Sequence, residues 1–205
     1  MNFYLVKTPK FITSFYKNYK WRVPTDKKEI YLTFDDGPTP KITKFVLDSL
    51  KKHHAKATFF CIGKNIEKYP ELFQRIINEG HTVGNHTQNH LNGWQTNTNK
   101  YLNNVALCDH LMTSKLFRPP YGKIKKVQSK ELIKNGHEII MWSVLSGDFD
   151  TSISKQKCLQ NVVKNTQKGA IIVFHDSIKA MPNLEYALPK VLTFFSDKGF
   201  TFGKL

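Results

Sequence analysis

From Glu29 to its end the chain alternates short apolar runs, rich in β-branched and aromatic residues, with longer stretches of helical period. Residues 29–34 (EIYLTF), 57–62 (ATFFCI), 137–144 (HEIIMWSV), 170–175 (AIIVFH) and 200–203 (FTFG) read as strands. Briefer strands fall at 81–86 and at Phe117-Arg118. Residues 39–54 put Ile42, Phe45, Val46, Ser49 and Leu50 on one stripe, with Thr39 expected as the N-cap before Pro40. Further helices are expected from Pro70 to Gly80, over 95–113, over 125–135, over 154–168 and over 184–199, the last kinked at Pro189. Alternation repeated about seven times specifies βα units around a parallel sheet, open or closed into a barrel. No repeat or linker interrupts it, so one domain is expected over 29–205, with residues 1–28 as an irregular lead-in packed on it.

The polar residues fall where that pattern makes them informative. Asp35 and Asp36 follow the first strand, His86 and His90 the third, and Arg118 closes the fourth. Asp148 lies just beyond the fifth, and His175 ends the sixth. In a parallel barrel these positions share the C-terminal mouth, where such folds place their chemistry. Two adjacent carboxylates after an apolar strand are costly unless they meet cations. One could bind a metal while its neighbour acts as a base; an isolated pair could equally cap the next helix. His86 and His90 are spaced i, i+4, which on a helical turn puts both on one face. Two imidazoles and a carboxylate with open positions make a catalytic metal site. His175, after a core strand, is a candidate general acid, and Arg118 would pair a nearby carboxylate. His53 and His54 read as surface groups, His81 starts a strand, and His110 and His137 have no apparent partners.

Composition narrows the partners. Thirty-one Lys and Arg against 16 Asp and Glu give a net charge of +15, a field that attracts polyanions. The lysines are spread through the chain without an arginine-rich run, so no specific nucleic-acid role is expected; no obligate protein partner is evident either. The three cysteines, Cys61, Cys108 and Cys158, show no CxxC spacing and read as incidental thiols. No signal-peptide pattern or membrane-length apolar run is visible, and a cytoplasmic location is the expectation drawn from that.

Taken in order, TFDDGP (33–38), NHTQNH (85–90), RPPYG (118–122), WSVLSGDF (142–149) and IIVFH (171–175) resemble the five motifs of the polysaccharide deacetylases, the NodB-homology group of carbohydrate esterase family 4. The resemblance implies a distorted (β/α)7-type barrel of parallel strands, with the active site at its C-terminal mouth. It implies one divalent ion held by Asp36, His86 and His90: zinc, with cobalt, nickel and manganese as alternatives. Asp35 would be the base, Arg118 would orient it, and the Tyr121 backbone N–H would hold the oxyanion. His175 would protonate the leaving amine, supported by Asp148. Trp142, Tyr121, Phe149 and Val173 would line the substrate pocket. The chain departs from the family at Leu145, where an Asp is usual, at Phe149, where Trp is usual, and at Val173, where Leu is common.

The expected activity is hydrolysis of acetyl groups from carbohydrate, foremost N-deacetylation of an N-acetylglucosamine-containing glycan (peptidoglycan, chitin oligomer or exopolysaccharide), and the net charge would suit an anionic one. O-acetyl esterase or non-sugar amide hydrolysis are the nearest alternatives. Two histidines and one carboxylate also describe non-haem iron oxygenases, and a glycan-binding protein without activity is a third reading.

Overall fold

The computed structural model describes residues 4–205. Its elements in chain order are α1 (Lys10–Phe15), β1 (Tyr19–Lys20), β2 (Glu29–Asp35), α2 (Ile42–Lys52), β3 (Thr58–Cys61), α3 (Gly63–Lys68), α4 (Pro70–Asn78), β4 (Thr82–Asn85) and α5 (Thr98–Asp109). There follow β5 (Leu116–Phe117), α6 (Lys126–Lys134), β6 (Glu138–Ile140), β7 (Val144–Leu145), α7 (Lys155–Asn165), β8 (Ile171–His175), α8 (Met181–Asp197) and β9 (Thr201–Gly203). The strands pair in the order β1-β6-β5-β4-β3-β2-β8-β7, with β9 on the first residues of β2. Every named pairing is parallel. The result is the expected distorted barrel.

Side chains alternate along a strand, so each central strand serves two environments. β2 sends Ile30, Leu32 and Phe34 outward, where all three are fully buried against α2 and α8. Burial of each such side chain contributes about 1.5–3 kcal/mol. Its inward row is Tyr31, Thr33 and Asp35. In β8, Ile172 and Phe174 face the helices, while Ile171, Val173 and His175 face the barrel. The register sets Asp35 beside His175 and Thr33 beside Val173.

The run expected as one strand over 137–144 is two. β7 ends the strand order and β6 stands next to its other end, beside β1, and residues 141–143 cross between them. Within that crossing, the Met141 N–H donates to Lys20 O and the Ser143 N–H to Ile171 O. One edge cannot serve both sides of the seam, so the chain breaks there. The lead-in covers that seam. β1 pairs with β6, Lys7 bridges Val144, and Arg22 bridges Ala170. The fit is close: a Cβ on Gly169 would sit 2.0 Å from Val23 O, and the Gly169 φ is +74°.

Other departures are local. α2 begins at Ile42, not at Thr39, because the Thr39 N–H donates to the Thr43 hydroxyl and Lys41 turns at φ 67°. α3 was not expected: its sequence GKNIEK offers only Ile66 as a buried apolar anchor. α8 runs from Met181 through Pro189 to Asp197 as one helix. All three cysteines are buried and free.

Candidate active site

Each sequence-selected polar residue stands at the C-terminal rim. The left-handed backbone region is sparsely used by non-glycine residues. Four such residues lie at this rim: Asp36 (φ 82°), Thr87 (φ 64°), His90 (φ 55°) and Tyr121 (φ 61°). Conformations of this kind cost of order 1–3 kcal/mol each and persist only where neighbours hold them. The holders are identifiable. Asn65 Nδ2 donates to Asp36 O at 2.7 Å, and Asn85 Oδ1 accepts the Thr87 N–H at 2.7 Å. The Gly63 N–H donates to Thr87 O, and the Gly122 N–H to Pro119 O.

His86 and His90 do not share a helical turn. His86 follows β4 directly, and the left-handed Thr87 and His90 fold the intervening loop so that both rings reach Asp36. His90 Nε2 lies 3.1 Å and His86 Nε2 3.6 Å from Asp36 Oδ1, and the three ligating atoms lie within 4.8 Å of one another. His86 Nδ1 is 2.8 Å from Arg118 O, so it carries the proton and Nε2 presents its lone pair to Asp36. Asp36 Oδ1 is buried and accepts no hydrogen bond. A buried carboxylate oxygen left unpaired beside two imidazole nitrogens fits a divalent cation such as zinc. Burial pushes the Asp36 carboxyl upward, but His90, His175 and His86 outweigh it and hold it well below the usual carboxylate range. Burial lowers His86 to about 4 despite the Asp35 and Asp36 charges, so it is neutral and able to ligate.

Arg118 is the largest fully buried side chain and runs through the barrel interior. Its Nη1 donates to Asp35 Oδ1 at 2.8 Å and Thr33 Oγ1 at 2.6 Å, its Nε to Ile140 O and its Nη2 to Met141 O. The guanidinium lies 4.1 Å from the Phe60 ring centroid. Burial lowers its pKa, and the Asp35 carboxylate opposes that effect. Asp35 itself is 3% exposed, and the guanidinium is its compensating charge.

His175 has the opposite setting to His86. Its Nδ1 is 2.8 Å from Asp148 Oδ1, and its backbone N–H donates to Asp148 Oδ2 at 2.7 Å. Burial works against its charge, but the Asp148 carboxylate, then Asp36 and Asp35, raise it to about 10. Asp148 is fully buried and held by the Ser146 hydroxyl on its N–H and Asn183 on its carbonyl.

The apolar positions surround this acid. The Phe149 ring meets His175 edge-on at 5.1 Å and touches Tyr4 of the lead-in at 5.1 Å. Val173 is buried beside Leu145 on the neighbouring strand. Trp142 lies under Gly122 and half-covers the Arg118 guanidinium at 5.9 Å. The Tyr121 ring is exposed and lies 4.6 Å from His90.

Some contributors escaped sequence reasoning. Asp176 accepts the Gly37 N–H at 3.0 Å and the Thr43 hydroxyl, and its own N–H donates to Asp35 O. It braces the turn carrying both rim carboxylates, and a Cβ on Gly37 would fall 2.0 Å from it. Burial raises it to about 7, with the Asp36 charge adding to the effect. The only sequence signal was its place after His175. His137, read as unpartnered, binds Asp109 at 2.9 Å, and Asp109 also accepts from Asn85. That pair, 28 residues apart, meets only when α5 and the turn after α6 pack together.

The chain resembles known proteins over most of its length. The family model described as polysaccharide deacetylase matches residues 22–140. A peptidoglycan-N-acetylglucosamine deacetylase of Bacillus cereus is 36% identical over 191 residues, covering 90% of this chain and 69% of that protein. A second protein of that description from the same organism is 34% identical, covering 89% of this chain and 88% of its own length. The crystal structure of the Bc1960 peptidoglycan N-acetylglucosamine deacetylase superposes with a TM-score of 0.85 at 35% identity, covering 95% of this chain and 94% of the other.

Proposed function

The chain belongs to the polysaccharide deacetylase family, hydrolases of amide carbon–nitrogen bonds, and from that premise we propose that it removes the acetyl group of N-acetylglucosamine units in peptidoglycan. The observation that carries the reading is the pairing of Asp35 with His175 across adjacent strands, a carboxylate beside a charged imidazole, next to the Asp36–His86–His90 set. Asp36, His86 and His90 would hold one divalent ion, zinc by the chemistry of the donors. When bound, such an ion supplies Lewis acidity to the acetyl carbonyl and lowers the pKa of water.

The remaining work belongs to the chain's own groups. Asp35, fixed by Arg118, takes the proton of the attacking water. The Tyr121 N–H donates to the oxygen on which charge develops. His175 enters charged and gives its proton to the departing amine, and Asp148 holds its ring and its charge. An unprotonated amine leaves poorly, whereas an alkoxide needs this help less, so a strongly charged His175 favours amide over ester substrates. Phe149 and Val173 form the wall for the acetyl methyl group. The family assignment removes the oxygenase reading, and the presence of every reacting group supports catalysis over binding alone.

Acetate release from purified peptidoglycan and from N-acetylglucosamine oligomers tests this directly. Release should stop on chelation and return with zinc. Asp35→Asn should keep the metal and lose about 10²–10⁴-fold in kcat. A metal-loaded protein that releases no acetate from any N-acetylated glycan would refute the reading.

A further inference from the structure

The lead-in does more than cover the seam. Between residues 5 and 22 it carries five cations and no acid. Together with Ser143, Asn165 and Ala170 it encloses a cavity of about 580 Å³. Lys7, Lys10, Lys17, Lys20 and Arg22 all reach this cavity, and no carboxylate lines it. Lys20 is paired with Glu138, and Arg22 donates to the Lys168 carbonyl. Lys7, Lys10 and Lys17 make no ion pair among the described residues.

A second observation concerns the rim of the same cavity. α1, which supplies Lys10 and Thr13, buries none of its residues. It presents Phe11 at 64% and Phe15 at 82% exposure, with Tyr16 at 50%. Tyr16 stacks on Tyr19 at 5.4 Å, and Tyr19 neighbours Trp21 at 6.4 Å, giving an aromatic row beside the lysines. Exposed aromatics flanking unpaired lysines match the two chemistries of a membrane surface, acyl boundary and anionic headgroup. Tyr and Trp favour that interface because one end of each ring is apolar and the other polar.

We propose that the lead-in is a docking face for anionic phospholipid, with Phe11 and Phe15 entering the headgroup boundary and Lys7, Lys10 and Lys17 meeting phosphates. No helix of the described chain is long and apolar enough to cross a membrane. The cavity touches Ala170, just before β8, whereas His175 ends that strand.

Co-sedimentation with vesicles tests the proposal. The chain should bind an equimolar phosphatidylglycerol–phosphatidylcholine mixture, release in high salt, and ignore pure phosphatidylcholine. Lys7→Gln, Lys10→Gln and Lys17→Gln together should weaken binding roughly a hundredfold, at about tenfold or less per lysine. Phe11→Ser with Phe15→Ser should weaken it while leaving the cations in place. Unchanged thermal melting of both variants shows that each is folded. Equal binding to neutral vesicles overturns the proposal. So does loss of a self-associated form in the Phe variant without any lipid binding, which would make the face a contact between copies. Binding of soluble polyphosphate as tight as vesicle binding, and indifferent to the Phe changes, would make the cavity a site for soluble anions and also overturn it.

Discussion

His86 and His175 are both imidazoles at strand ends on one rim, and they are held in opposite charge states. His86 faces a carbonyl on one side and the Asp36 carboxylate on the other, and burial brings it to about 4. His175 is mostly buried, its side chain 15% exposed against 2% for His86, and a fully buried carboxylate bonds both its ring and its backbone N–H, so that it rises to about 10. A backbone carbonyl fixes a tautomer without supplying a countercharge, and an ionised carboxylate supplies both. One residue type thereby provides a neutral ligand and a charged proton donor within one barrel mouth.

The largest effect should come from removing the neutral side. The His86→Ala, His90→Ala double variant should lose its metal and fall to background acetate release; unchanged metal content would break the ligand assignment. Next, His175→Ala should cost about 10²–10⁴-fold on an N-acetyl substrate and much less on an activated acetate ester. Equal losses on both would remove the proton donor from the comparison. Asp148→Asn should follow with a smaller loss, because the ring remains in place without its countercharge. Its rate profile should also fail at lower pH on the alkaline side; a profile identical to the parent's would contradict the role of Asp148.

The smallest effect is on stability, and its sign differs between the two rings. Unfolded imidazole titrates near 6.5. In metal-free protein His86 stays neutral to about 4, so below 6.5 the unfolded chain binds the extra proton and stability falls with pH. His81, also buried and lowered to about 4, adds to this acid arm, and Asp176, raised from 3.8 to about 7, opposes it over that window. His175 contributes fully below 6.5, and its contribution is lost as pH rises toward about 10. Urea midpoints across pH should show both arms, each worth a few kcal/mol at most. Asp148→Asn should flatten the alkaline arm alone.

The rim was legible because its polar residues interrupt apolar strands, where a buried charge needs a partner. Asp35, Asp36, Arg118 and His175 stand out for that reason, and the alternation of strands and helices gave the barrel around them. What was hidden depends on closure. HEIIMWSV reads as one strand because its eight residues carry no turn signal; only the need to bridge two sheet edges divides it. The i, i+4 spacing of His86 and His90 looked helical, whereas two left-handed residues achieve the same convergence. Asp176 and Asp109 act through residues far away in sequence, so no local pattern marks them.

Nitrogen-15 spectra of the assigned imidazoles in metal-free protein at neutral pH report the two charge states in a single sample. The predicted result is a His175 ring with both nitrogens protonated and a His86 ring with a proton on Nδ1 alone. A neutral His175, or a protonated His86, would contradict the division of roles between them.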